Sequence, residues 1–378
     1  MCLAISTAVF AAGCGNADSV SKLDPPVSDP IIASEKGMTG TYSGPAAAED
    51  GSISDPSADP TPTPEPTPTP EPVLPDGTIH TPLTMSGMVY VAENRAFTPY
   101  YFTDESGDAY SAMLNTVSQT LGDGINVYSI LAPTSFAVCL GQEVQASLNC
   151  SDERYAIDYV NARLSPAIKQ VNVLDSLIKH NAEYLYFGTD HHWTQLGAYY
   201  SYREFCSVKG ITPQELANYN RMDFPGFLGL FYDYSGGNEA LASNPDTVQT
   251  FSSWATNEMT AYNADGSAYA YTVITDVSQS PQGSKYSTFI GGDLAMCTIT
   301  NPGISDGSAC ILVKDSFGNA FAPLLVDHYQ TTIVVDPRYY TGSIPQLAAS
   351  FGVSDVIFLY NVDQILASTA SQLSALLY

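Results

Sequence analysis

Thr61 to Pro72 reads TPTPEPTPTPEP, with a proline at every second position. Each proline fixes φ near −65° and lacks an N–H, so the tract forms neither a helix nor a central strand and favours extended polyproline II. Its surroundings are alike: residues 1–76 hold 13 of the 25 prolines and 11 of the 39 acids, with only Lys22 and Lys36 as bases. Such a segment cannot bury enough apolar surface to offset the entropy of ordering. Residues 15–76 are therefore expected to be a disordered, semi-stiff stalk, and the packed core must come from residues 77–378.

Met1 to Cys14 reads MCLAISTAVFAAGC. The apolar run is too short to span a bilayer but matches the h-region of a signal peptide. Ala11-Ala12-Gly13-Cys14 resembles a bacterial lipobox, in which the cysteine is lipidated. It departs from that pattern in having no basic n-region and in carrying Ala11 where leucine is usual. Residues 1–14 are expected to be a signal peptide with Cys14 as lipidation site, which makes the chain an extracytoplasmic, membrane-anchored lipoprotein at the bacterial cell surface.

The charge balance narrows the partners. Thirteen Lys+Arg against 39 Asp+Glu give a net charge of −26, and beyond residue 76 there remain 28 acids and 11 bases. A surface this acidic cannot neutralise a phosphate backbone, so nucleic acid is excluded. A mean hydropathy of −0.02 argues against a multi-pass membrane protein. Cys139, Cys150, Cys206, Cys297 and Cys310 show no CxxC or Cys/His zinc spacing. A Cys139–Cys150 disulfide is permitted by export but not demanded, and Cys139 and Cys310 lie in or beside apolar runs as small hydrophobes.

From about Thr81 the pattern alternates strand and helix. Met88–Val91 and Ile125–Leu131 read as strands, Asp108–Leu121 as a helix, and a helix capped by Ser151 is expected to run towards Lys169. Tyr184–Phe187 is predicted as strand, followed by the loop GTDHHW and a helix from Thr194. Cys310–Lys314, Thr332–Val335 and Asp355–Tyr360 read as strands, separated by helices over Phe317–His328 and Ile344–Phe351. This alternation predicts an α/β fold, a three-layer α/β/α sandwich on a mainly parallel sheet. Residues 208–300, rich in Gly, Asn, Ser, Asp and Tyr, read as a loop-rich insertion. No GxGxxG or Walker A loop occurs, and no cofactor is expected.

Two segments carry candidate chemistry, Asp190-His191-His192-Trp193 and Lys314-Asp315-Ser316-Phe317-Gly318-Asn319. A serine hydroxyl needs a base within hydrogen-bond reach and a third group to orient that base. Both segments follow predicted strands, so a parallel sheet would bring them to one edge. An Asp two residues before a His can reach Nδ1 and leave Nε2 for a serine, which supplies every part of a Ser–His–Asp site. The turn at Ser316 and Gly318 could aim N–H groups at an oxyanion, and Asn319 could add a side-chain donor. Read more plainly, an Asp-Ser after a strand is a helix N-cap and a His pair is a loop feature. Asp-His-His also suggests a metal, but neighbouring side chains seldom converge on one ion, and none is expected.

The segment YLYFGTDHHWTQLGAYYSYREFC, with the later ILVKDSFGNAFAPLL and VVDPRYY, resembles the bacterial DHHW protein family. That family in turn resembles the permuted SGNH-hydrolase-like domains of alginate O-acetylation proteins, where an Asp-x-His precedes the nucleophilic serine. The resemblance covers most of residues 81–378. It implies Ser316 as nucleophile, His192 as base and Asp190 as its orienting acid. His191 falls on the variable position and takes a supporting role. Trp193 is expected to pack behind the pair or stack on sugar, and Arg338 and Tyr339 are candidates for the acceptor site. The oxyanion donors stay open between Gly291-Gly292 and the Ser316 N–H with Asn319. The implied function is serine-dependent O-acetyl transfer or acetyl-ester hydrolysis on a surface polysaccharide, with a membrane-bound O-acyltransferase as acetyl donor. The competing expectation is a non-catalytic glycan-binding or assembly lipoprotein with an inactive site.

Overall fold

The computed structural model describes residues 74–263 and 265–378. The expected signal peptide, Cys14 and nearly all of the stalk lie outside the described residues.

A small meander of β1 (Thr84–Ser86), β2 (Val89–Ala92) and β3 (Arg95–Phe97) opens the domain. Helix α1 (Asp104–Leu121) begins one turn before the expected start, because Thr103 accepts the Ser106 N–H and caps it there. Strand β4 (Asn126–Ala132) stops at Pro133, and α2 (Ser135–Cys139) and α3 (Gln142–Gln145) are short. Helix α4 (Glu153–Asn161) is capped by Asp152 rather than Ser151 and ends well before Lys169, giving way to β5 (Ile168–Val171). Helices α5 (Leu174–Lys179) and α6 (Gln195–Lys209) flank a segment, 184–187, that is no sheet strand.

Residues 208–300, read from composition as loop-rich, carry β6 (Asn220–Phe227), α7 (Leu230–Tyr234), α8 (Glu239–Ala242), β7 (Asp246–Ser252), β8 (Glu258–Tyr262), β9 (Ala268–Thr272) and β10 (Met296–Thr300). The chain closes with β11 (Ala309–Lys314), α9 (Phe317–Leu325), β12 (Thr331–Val335), α10 (Ile344–Phe351), β13 (Asp355–Asn361) and α11 (Ala367–Ala375).

Eight strands form one mixed sheet in the order β5-β4-β13-β11-β12-β10-β8-β9. The first five are mutually parallel, and β10, β8 and β9 continue it antiparallel. The sheet is thus less uniformly parallel than the helix–strand alternation suggests. For the outermost pair the reason is local: β8 and β9 are joined by a short hairpin, which only antiparallel neighbours allow. The central strands β11 and β13 are buried along their whole length, as strands covered on both faces must be. Phe205 of α6 packs edge-on against Tyr128 of β4, and Tyr110 of α1 packs edge-on against Tyr360 of β13.

None of the five described cysteines is disulfide-bonded: Cys139, Cys206, Cys297 and Cys310 are buried and Cys150 is half-buried. Among the described residues no helix is long and apolar enough to cross a membrane.

Glu153, at the start of α4, is buried and accepts the Thr134 N–H at 2.8 Å, with the Thr134 hydroxyl on its other oxygen. Burial pushes its carboxyl up to about 8, although the Thr134 donors pull the other way. A carboxyl raised in the folded state adds stability that is complete below its unfolded value of 4.5 and is lost as pH rises through about 8. Glu153→Gln keeps an acceptor for Thr134 but cannot ionise. Its Tm should exceed that of the wild type increasingly between pH 5 and roughly 8, as thermal melts across that range would show. Parallel Tm curves would overturn this account.

Candidate active site

Ser316 sits two residues beyond β11, at the start of α9. Serine there commonly caps a helix, but its side chain makes no capping bond. Asp315 caps the turn instead, with Oδ1 accepting the Phe317 N–H at 2.9 Å and Oδ2 the Asn361 N–H at 2.7 Å. Burial pushes the Asp315 carboxyl up to about 6, opposed by those two N–H groups. The Ser316 hydroxyl is left for another partner.

That partner arrives on a loop. Thr194 N–H donates to Leu185 O at 2.8 Å, and Phe187 N–H to His192 O at 3.3 Å, so the chain around Asp190 closes on itself rather than leaving a sheet strand. Asp246 clamps the loop from β7, accepting from the Gly188 N–H at 3.0 Å, the Thr189 N–H at 2.7 Å and the Tyr184 hydroxyl at 2.6 Å. Trp193 is fully buried, with its indole N–H on Phe317 O at 3.0 Å, and so ties this loop to the start of α9.

The two segments meet in a hydrogen-bonded line. Ser316 Oγ lies 2.7 Å from His192 Nε2, and His192 Nδ1 lies 2.6 Å from Asp190 Oδ1. Asp190 Oδ1 also accepts the His192 N–H at 3.0 Å, and Oδ2 accepts the Leu230 N–H at 2.8 Å. Burial alone would raise the Asp190 carboxyl. The His191 and His192 imidazoles, the His192 hydrogen bond and the Leu230 N–H outweigh it and hold the group well below the usual carboxylate range. The His192 ring is held flat against Tyr286, centroids 3.9 Å apart and planes 13° apart, while the Tyr286 hydroxyl donates to Ser316 O at 2.9 Å. An ionised carboxylate on Nδ1 keeps the proton there and turns the Nε2 lone pair to Ser316, the arrangement that removes a hydroxyl proton during nucleophilic attack.

The line opens on a cavity of about 260 Å³ lined by Asp190, His192, Ser316, Asn319, Asp293 and Tyr286 among others. Two larger hollows, of about 800 and 490 Å³, share no lining residue with it.

A family model described as DHHW protein matches residues 73–335. The chain belongs to the DHHW family. The crystal structure of a DHHW family protein from Eubacterium siraeum has a TM-score of 0.71 at 27% identity, covering 78% of this chain and 97% of that one. Bacillus cereus PatB1 with a sulfonyl adduct has a TM-score of 0.62 at 17% identity, covering 77% and 98%. Another PatB1 structure gives 0.61 at 18% identity, covering 74% and 97%. At that identity PatB1 shares the fold. Among curated proteins none matches the chain.

The remaining candidates of this DHHW domain fall in different places. His191 lies beside His192, ring centroids 3.9 Å apart, and its Nδ1, 3.7 Å from Asp190 Oδ1, has no hydrogen-bond partner among the described residues. Burial, with the His192 imidazole beside it, holds the His191 imidazole down to about 4. Asp190, His191 and His192 offer ligand atoms within 4.8 Å of one another. Both nitrogens of His192 are already engaged, so a cation there would have to break the line to Ser316 or to Asp190. Trp193 is enclosed and cannot stack on a sugar. Gly318 donates its N–H to Asp315 O at 3.1 Å and is no oxyanion donor. A Cβ on Gly318 would meet the Lys314 Cβ at 2.4 Å, so this glycine serves the packing of α9 on β11. Gly291 faces the Tyr271 ring rather than the cavity; Gly292 lines the cavity, but its N–H is spent on Phe289 O at 2.9 Å. Asn319 lines it too, with Nδ2 donating to Asp293 Oδ1 at 2.9 Å. Arg338 pairs with Asp336 and Asp293 and Tyr339 is exposed; neither lines the cavity.

Tyr286, Asp246, Asp293 and the Leu230 N–H carry no motif that a single sequence exposes. Gly229 carries the clearest hidden signal. A Cβ there would lie 2.3 Å from both Cβ and Oδ2 of Asp190, so only glycine lets Leu230 reach that carboxylate. Gly229→Ala should leave the fold intact yet lower kcat by roughly 10²-fold through misplacement of Asp190. Undiminished turnover in a folded variant would refute this.

Proposed function

We propose that this DHHW protein is an extracytoplasmic serine-dependent O-acetyltransferase or acetylesterase acting on a cell-surface or exported polysaccharide. The observation that carries the proposal is the continuous line from Ser316 Oγ through His192 to Asp190, with links of 2.7 and 2.6 Å. Ser316 Oγ attacks the acetyl carbonyl carbon while His192 Nε2 takes the hydroxyl proton. The tetrahedral oxyanion then collapses, and the leaving alkoxide departs with that proton as an alcohol. A sugar hydroxyl or water, deprotonated in turn by His192, attacks the acetyl-Ser316 ester and restores the serine. The Ser316 N–H and the second amide hydrogen of Asn319 are the candidate oxyanion donors.

The family's resemblance to alginate O-acetylation domains supports acetyl as the acyl group and a membrane-bound O-acyltransferase as its donor. It also supports a permuted SGNH-like, three-layer reading of the fold. The Ile357–Tyr128 pairing sets Tyr128 and Tyr360 on opposite sheet faces, where α6 and α1 meet them. The lipobox-like Cys14 supports a membrane anchor, tested by whether Cys14→Ala releases the full chain from membranes. The chemistry is tested by incubating the protein with 4-nitrophenyl acetate and reading its intact mass and peptides. Wild type should gain one acetyl group on Ser316. A wild type never acylated by any acetyl donor would leave the non-catalytic glycan-binding reading in its place.

A further inference from the structure

The cavity beside Ser316 is rich in hydrogen-bond acceptors and, among the described residues, has no Lys or Arg in its wall. Asp190, Asp233, Asp293, Ser284, Ser287 and Asn319 line it. The cations nearest in sequence or space are withdrawn. Lys285, between two lining residues, is buried with Nζ on Val277 O at 3.1 Å. Lys314 is fully buried on Asp336 at 3.0 Å, and Arg338 is held by Asp336 and Asp293.

Two acceptors are left over. The exposed Asp233 side chain has no hydrogen bond or ion pair among the described residues. Asn319 is buried, one of its Nδ2 hydrogens goes to Asp293, and its Oδ1 has no hydrogen-bond partner among the described residues. A buried acceptor without a donor is unfavourable, and here it lies on a residue of the cavity wall. An unpaired carboxylate on the rim of a strongly acidic domain draws cations and repels anions.

We propose that the site takes an amine-bearing glycan, whose ammonium pairs with Asp233 while a ligand N–H or O–H donor reaches Asn319 Oδ1. This rests on reading the cavity as the acceptor site of the acyl transfer. Uronate and phosphate-bearing glycans are disfavoured by the same charge. Binding tests it without turnover: calorimetry on the wild-type protein with a glucosamine tetrasaccharide, its N-acetylated counterpart and a galacturonate tetrasaccharide. The glucosamine oligomer should bind roughly three- to tenfold more tightly than the N-acetylated one, and the galacturonate weakest. The advantage should shrink with added salt. Asp233→Asn should remove it, whereas Glu105→Gln, an exposed acid on α1 outside the cavity, should not. Equal binding of all three, no detectable binding of any, or an advantage that survives Asp233→Asn overturns the proposal. A wild type that shows the amine preference but is never acylated supports this assignment and removes the acyltransferase reading alone.

Discussion

Alanine at Ser316 or at His192 is expected to abolish turnover of a small acetyl ester, each change costing roughly 10⁴–10⁶ in kcat. The double variant should be little worse than either single one. Oγ and Nε2 share one proton across 2.7 Å, so removing either partner removes the whole proton transfer. The fold should survive both changes, because Ser316 makes no capping bond with its side chain and the Trp193 indole still ties the loop to α9. His191→Ala is the internal control. Its ring touches His192 but reaches neither Ser316 nor the cavity wall, and it should cost far less. A Ser316→Ala variant of undiminished activity, or additive losses in the double variant, would remove the serine mechanism.

Asp190→Asn should lose roughly 10²–10⁴ in kcat with the fold retained. The amide oxygen can still accept the Leu230 N–H, but an N–H₂ set against His192 Nδ1 donates where the carboxylate accepted. The imidazole then carries its proton on Nε2 and presents a donor, not a base, to Ser316. Steady-state kinetics beside circular dichroism separates this from unfolding. A folded Asp190→Asn enzyme within about threefold of wild type in kcat would be incompatible with a tautomer-setting role.

The helix–strand alternation was legible in the apolar pattern because buried parallel strands are continuous apolar runs, as in Cys310–Lys314 and Asp355–Tyr360. The misreadings share one cause. Tyr184–Phe187 has strand-like residues, yet its partners are Asp246 and its own loop, contacts that no local pattern records. Residues 208–300 read as loop-rich because composition registers Gly, Asn and Ser but not strand pairing, which here makes a separate β6–β7 pair and adds β8, β9 and β10 to the large sheet.

By itself, the sequence determined that a proline-rich segment precedes a strand-helix domain. It also offered Asp190, His192 and Ser316 as residue types from which a serine site can be built, since residue type and a two-residue Asp–His spacing are local properties. Whether Ser316 caps a helix or faces a base was decided only by tertiary structure. Asp315 takes the capping bond, the loop fixed by Asp246 carries His192 across a sequence separation of 124 residues to within 2.7 Å of Ser316, and Gly229 admits Leu230 to Asp190. The decisive contacts of His192 and Leu230 join residues far apart in the chain, and their geometry exists only once the sheet and its connections have folded.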